Sequence, residues 1–361
     1  MSKKSWKVSA KNPNKKEKDW LVTTLAKNRG LVSPKQLKDF FNPNLSHILQ
    51  TEITEVAKAV PRIKAAIDTQ EKIRVYSDYD ADGLNAAAIM WETLFDLGAD
   101  VMPYVPHRTT EGYGLSNPAI TKLASEGVKL IITVDHGVTA TKQVEHAKAH
   151  GVDVIITDHH VLPQKPPKSY ALVHTTKLCG AGVSWILAYE IVKKIKPSYE
   201  KTLMEKLELA AIATVADLVP LTGGSRAIVT LGLEYLSNSL RPGIAALLLE
   251  SGISPPITTY EIGHVIAPRI NAMGRIEHGM DALRLLCAKN QKQAADLAKI
   301  LGKTNSKRKE MTQKAVGEAF SMVIESTHVG VITSSNWHEG VIGLVASRLV
   351  ETHNKPMIVI A

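Results

Sequence analysis

The sequence predicts an α/β fold: a parallel β-sheet flanked by helices, then a long connecting helix, then the start of a second α/β domain. Three observations predict it. Short runs rich in β-branched residues, at 72–77, 101–105, 130–134 and 154–157, alternate with helical periods at 84–97, 117–126 and 139–150, the pattern of βαβ units. The runs are apolar without alternation, as strands covered on both faces must be. Acidic residues and histidines follow the runs directly: Asp78, Asp80 and Asp82 after the first, Asp135 and His136 after the third, and Asp158, His159 and His160 after the fourth.

The elements in order begin with residues 1–20, where seven lysines face only Glu17 and Asp19. That segment reads as a solvated tail, with phosphate binding as the sharper alternative. Ser33-Pro34 opens a helix that ends before Asn42-Pro43. Residues 54–68 give a further helix with Val56, Ala59, Val60, Ile63 and Ile67 on one face. After the fourth strand, residues 185–289 are mostly helical, and Trp91 and Trp185 sit in apolar patterns that mark them as core. Residues 289–323 form the connecting helix, with Leu297, Ile300 and Leu301 in its stripe. A strand at 329–333, a helix at 341–351 and a strand at 357–360 close the sequence. The divisions that follow are a tail and lead-in at 1–55, a first domain at 56–288, the connecting helix at 289–326 and a partial second domain at 327–361.

The 361 residues, 44% hydrophobic and 22% charged, exclude a disordered or fibrous chain. Two cysteines, Cys179 and Cys287, exclude a disulfide framework and fit a reducing compartment. The N-terminus lacks an apolar signal region, so a cytoplasmic location is expected. No apolar run reaches the ~18 residues of a membrane span. The most apolar stretch, 207–221, is interrupted by Glu208 and Asp217, and no membrane partner is expected. A net charge of +9 suits a polyanionic partner without identifying one.

Ligands of open parallel sheets bind at the carboxyl ends of the strands, and three strands deliver carboxylates and imidazoles there. So many carboxylates in one crevice resist ionising together unless a dication joins them. Carboxylate and imidazole without thiolate suit Mn²⁺, Mg²⁺ or Zn²⁺. Residues 78–83 also match the opening of an EF-hand loop, but its twelfth position is Ile89 where calcium needs a bidentate glutamate. Asp78 and Asp80, two apart in extended backbone, point the same way. Asp82 is placed to cap the following helix. His159 and His160 are adjacent and face different directions, one free to be a ligand and the other to face substrate. Asp217, inside an apolar run, is explained equally by helix capping and by metal ligation.

These segments, in this order, resemble the DHH phosphoesterase family, and within it the single-strand-specific exonucleases. Further matching segments are Phe40-Phe41-Asn42-Pro43, Pro106-His107-Arg108, Glu111-Gly112-Tyr113-Gly114 and Gly180-Ala181-Gly182. Two more are Ala267-Pro268-Arg269-Ile270-Asn271-Ala272 with Gly274-Arg275, and Trp337-His338-Glu339-Gly340 with Gly343. The resemblance implies a two-metal site, usually supplied with Mn²⁺ and open to Mg²⁺. Asp78 and Asp80 would each favour one metal, Asp135 would bridge both, and His159 and Asp217 would complete the second. Asp135, His159 and His160 would be catalytic, with His160 near the scissile phosphate. Arg108, Arg269 and Arg275 would contact phosphate, and Asn271 would orient it; pairing with local carboxylates or carbonyls is the alternative for the arginines. One departure is Arg74, which stands where many members carry a histidine.

The activity implied is hydrolysis of single-stranded DNA from the 5′ end to mononucleotides, in DNA repair and recombination. A single-strand-binding protein or a helicase is the implied partner. Two alternatives remain: a phosphoesterase of short oligonucleotides or cyclic dinucleotides, and a catalytically dead scaffold in a replication assembly. Members continue into a completed second domain and an OB-type domain, which implies a C-terminally shortened chain. Lys307, Arg308 and Lys309 on the connecting helix suit either a solvated face or a strand-tracking groove. Trp337 reads as core. Residues 289–314 hold eight basic and two acidic side chains, so the basic excess sits on this helix and the tail, where it suits strand binding beside the site, while the body that holds the aspartates is slightly acidic.

Overall fold

The computed structural model describes residue 7, residues 19–323 and residues 328–361, so most of the expected basic tail lies outside the described residues. Four helices lead in: α1 (Trp20–Asn28), α2 (Pro34–Phe41), α3 (Leu45–Leu49) and α4 (Val56–Asp68). Ser33 and Gln36 form a reciprocal capping box that opens α2 at Pro34, as the sequence predicts.

The alternating part follows: β1 (Lys72–Ser77), α5 (Ala81–Asp96), β2 (Val101–Tyr104), α6 (Asn117–Ser125), β3 (Val128–Val134), α7 (Thr141–Ala149) and β4 (Asp153–Asp158). A fifth strand, β5 (Ala171–His174), is too short to stand out in the sequence. The five strands are parallel in the order β2-β1-β3-β4-β5. The order reverses between β1 and β3, so the crevice at their carboxyl ends is the switch point where open α/β sheets take ligands.

Alternate strand residues face opposite layers. Ile73, Val75, Leu130, Ile132, Val134 and Ile155 join the core beneath α4, α5 and α8 (Gly180–Ile195). Tyr76, Ile131, Val154 and Ile156 join a second core beneath α6 and α7. Helix α5 is buried almost all round, which carries Asp82 and Glu92 inside with it.

The helical part comprises α9 (Glu200–Glu205), α10 (Leu207–Ala216), α11 (Gly223–Ser237), α12 (Pro242–Ser251) and α13 (Thr259–Glu261). A π-helical turn (Ile262–Ile266) then leads into α14 (Ala267–Ile276), followed by α15 (Met280–Leu286). The charge of Glu92 is met here by Lys206 at 2.5 Å and Arg241 at 2.7 Å, and Glu208 lies 2.8 Å from Arg241. Helix α16 (Gln291–Phe320), about 45 Å long, packs on α12, α14 and α15 and then on α17 (Glu339–His353). Helix α17 joins β6 (Gly330–Thr333) to β7 (Met357–Ile360), a parallel pair. Trp337 is buried in this last core with its indole N–H donating to Glu318 at 2.8 Å, and Trp185 is fully buried, so both are structural as read. Among the described residues, no helix is long and apolar enough to cross a membrane.

Candidate metal centre

The turn after β1 sets three aspartates differently from the sequence expectation. Helix α5 begins at Ala81, earlier than its apolar period suggests, so the capping position falls on Asp80. The Asp80 Oδ1 accepts the N–H groups of Asp82 at 2.9 Å and Gly83 at 3.0 Å. The cap assigned to Asp82 is corrected accordingly. Asp82, fully buried, turns the other way and accepts the N–H groups of Gly180 and Ala181, each at 2.7 Å. It thereby caps α8 from a distant part of the chain, where the helix dipole favours an anion. A Cβ on Gly180 would fall 2.5 Å from the Asp135 Oδ1, so only glycine admits this approach.

Asp135, after β3, has the left-handed φ of 68°, a conformation aspartate tolerates better than most residues. Its N–H donates to the Thr157 carbonyl at 2.9 Å. His136 Nε2 lies 3.0 Å from the Tyr76 carbonyl, and the Thr133 hydroxyl donates to the His136 carbonyl at 2.7 Å, which pins the turn to β1 and β3. The buried Asp135 Oδ1 has His159 Nε2 3.2 Å away but accepts no hydrogen bond of good geometry among the described residues. Asp158, the last residue of β4, is an anchor: its carboxylate accepts from the N–H groups of Val138, His159 and His160 and from His160 Nδ1 at 2.7 Å. His159 Nε2 lies 3.2 Å from Asp135, 3.6 Å from Asp82 and 3.7 Å from Asp217. Asp217 both ends α10, its N–H donating to the Ala213 carbonyl, and turns its carboxylate to the cluster.

Three groupings have donor atoms within 4.8 Å of one another: Asp78, Asp80 and Asp135; Asp82, His159 and Asp217; Asp135, His159 and His160. All five residues expected as ligands, Asp78, Asp80, Asp135, His159 and Asp217, are therefore together, with Asp82 and His160 added. Burial, and then the charge of Asp80, push the carboxyls of Asp78 and Asp82 up to about 7 and that of Asp217 to about 6. Burial, then Asp82, raises Asp135 well above the carboxylate range. Burial drives His159 down to about 4, keeping it neutral. Burial opposes ionisation of Asp158, but the hydrogen bonds from His160 and Val138 outweigh it and hold Asp158 at about 2. An orphaned buried oxygen, carboxylates that resist ionising together and a neutral imidazole fit divalent cations.

Residues 72–216 match the DHH family, N-terminal domain. A single-stranded-DNA-specific exonuclease RecJ of Bacillus subtilis is 37% identical over 355 residues, 94% of this chain and 44% of that protein. A crystal structure of an exonuclease RecJ bound to manganese is 32% identical with a TM-score of 0.80, over 86% of this chain and 81% of that one. The chain belongs to the DHH family, in its RecJ group. RecJ of Thermus thermophilus in complex with Mn²⁺ is 30% identical with a TM-score of 0.81, over 92% of this chain and 49% of that one. The chain spans about half the length of the first of these curated relatives.

Around the DHH centre the expected phosphate contacts divide. The Arg108 guanidinium lies 5.2 Å from the Tyr79 ring centre, beside the acidic turn. Arg275 donates to the Gly340 carbonyl at 3.2 Å; burial, then neighbouring Arg108 and Arg308, lower its pKa. These three arginines form one positive group. Arg269 does not join it. Its Nε donates to Glu250 at 2.8 Å and its Nη1 to the Val265 carbonyl, because a mostly buried guanidinium needs a counterion. Asn271 is likewise engaged: its Oδ1 accepts the Ala81 N–H at 2.7 Å, tying α14 to the start of α5. Gly274 permits that contact, since a Cβ there would lie 2.1 Å from the Tyr79 carbonyl oxygen. Lys307 pairs with Glu277 at 3.1 Å. Arg74 lies on β1, 3.6 Å from Glu126, outside the cluster. Sequence reasoning missed Asp82 as a donor because its partners, Gly180 and Ala181, are about a hundred residues away.

Proposed function

We propose that this chain is a metal-dependent phosphodiesterase that hydrolyses single-stranded DNA from the 5′ end to mononucleotides. The observation that carries the reading is the convergence of carboxylates and imidazoles from β1, β3, β4 and α10 on the switch point, and membership of the RecJ group supports it. Asp78, Asp80, Asp82, Asp135, His159 and Asp217 would hold two divalent cations, Mn²⁺ first and Mg²⁺ as the alternative. When bound, such cations lower the pKa of a water and neutralise charge gathering on the phosphate.

The chain's own side chains do the rest. His159 stays neutral in its buried place and so offers a lone pair at neutral pH. His160, its Nδ1 held by Asp158, has a raised pKa, first from that hydrogen bond, and is half exposed. In this reading it would hold a proton for the departing oxygen. Arg108 and Arg275 offer planar donors for phosphate oxygens beside the acidic turn. We further place the protein in the cytoplasm, in DNA repair and recombination, with a single-strand-binding protein or a helicase as partner.

The deciding experiment incubates the protein with Mn²⁺ or Mg²⁺ and end-labelled single-stranded DNA, duplex DNA or a cyclic dinucleotide. Mononucleotides released only from single strands with a free 5′ end are expected. Turnover of the cyclic dinucleotide alone, or of nothing, defeats the reading. Asp135→Asn should lower the rate by about 10²–10³-fold and weaken Mn²⁺ binding in calorimetry while the fold persists.

A further inference from the structure

One histidine outside the acidic cluster reaches the His159–His160 pair from the neighbouring strand. His174, the last residue of β5, is buried and stands beside Asp158 in the sheet register. Its Nε2 lies 2.7 Å from the His160 carbonyl oxygen. A carbonyl only accepts, so Nε2 carries the proton and His174 donates. The N–H and the imidazole of His160 are already tied to Asp158, at 3.1 and 2.7 Å, and His174 secures the opposite side of the same residue. The next residue, Val161, is 84% exposed and adds little packing there.

His174 is itself held from the lead-in. Its N–H donates to the Thr54 hydroxyl at 3.1 Å, and the Thr54 N–H donates to the His174 carbonyl at 3.1 Å. The Thr54 hydroxyl donates in turn to the Leu172 carbonyl at 2.6 Å. A continuous run of hydrogen bonds therefore joins the segment before α4 to the histidine pair.

We propose that His174 is a positioning residue, whose Nε2–H fixes the peptide plane after His160 and with it the aim of both imidazoles. The inference rests on the hydrolytic reading above for its kinetic consequence, and on hydrogen-bond geometry alone for its structural one. An ångström of misplacement at a reacting group costs on the order of 10²-fold in rate.

The test compares the full chain with His174→Leu, which keeps bulk without a donor, and His174→Gln, which restores an N–H near the same place. Steady-state hydrolysis of a single-stranded oligonucleotide with Mn²⁺, thermal melting and NMR of ¹⁵N-labelled histidine rings are measured on each. His174→Leu is expected to lower kcat by about 10–100-fold with little change in KM and to shift the His160 ring signals, and His174→Gln to recover most of kcat. Wild-type kcat in His174→Leu overturns the proposal. So does equal loss in both variants in step with melting temperature, which would mean packing alone. If the unaltered protein hydrolyses nothing, the hydrolytic reading fails separately. The ring signals then decide, and unmoved His160 resonances in His174→Leu overturn the positioning role.

Discussion

Asp82 and Asp158 are buried carboxylates with opposite electrostatics. Four donors hold Asp158 ionised, and it serves as an anchor. Asp82 has two backbone donors, but burial, then Asp80 and Asp217, push it up to about 7. For Asp78, Asp82 and Asp217 the folded pKa lies above the unfolded value, so the metal-free fold gains stability from their protonation at low pH. That gain is lost as pH rises through about 6 to 7. A bound cation replaces the lost protons. The Mn²⁺-induced rise in melting temperature should therefore be larger at about pH 8 than at about pH 5, measured by scanning calorimetry; a pH-independent rise would contradict the shifts. The acidic side chains themselves were legible in the sequence because they sit directly after strand-like runs. Which of them caps α5 was not, since α5 starts at Ala81, before its apolar period becomes readable. The engagement of Arg269 with Glu250 was hidden too, because the pair forms between α14 and the end of α12.

At the scale of elements, burying α5 on nearly all sides places its far end in contact with two cations. Lys206 and Arg241 hold Glu92 at about 2 against the burial that opposes its ionisation. Glu92→Ala would leave both cations poorly compensated and should cost about 3–5 kcal/mol in denaturant unfolding. A loss under about 1 kcal/mol would show that water or Glu208 takes over. The strands and helices between residues 72 and 158 were readable from period and composition. Strand β5 was not: with four residues after an irregular segment it gives too little pattern, yet it supplies His174.

Across the whole molecule, the acidic crevice meets Arg108, Arg275 of α14 and Arg308 of α16 around the turn after β1. Arg108→Ala and Arg275→Ala should each reduce the salt dependence of single-strand binding, with the log–log slope falling by about 1. Arg269→Ala should leave that slope unchanged and lower stability through the loss of its pair with Glu250. Equal slopes for all three variants would mean that the geometry misassigns the phosphate contacts. The parallel order of the sheet has a further consequence, for the time course of folding. No two of its strands can pair through a hairpin, so every pairing waits for an intervening segment to cross over. The donors of the three groupings are spread along the chain from Asp78 to Asp217, so no one βα unit holds a full set: residues 72–134 carry Asp78, Asp80 and Asp82 but not Asp135, His159 or Asp217. Cation capture is thus a clock for completion. In refolding, the loss of the free Mn²⁺ paramagnetic signal should trail the recovery of helical circular dichroism, because local helices form long before β1, β3 and β4 stand side by side.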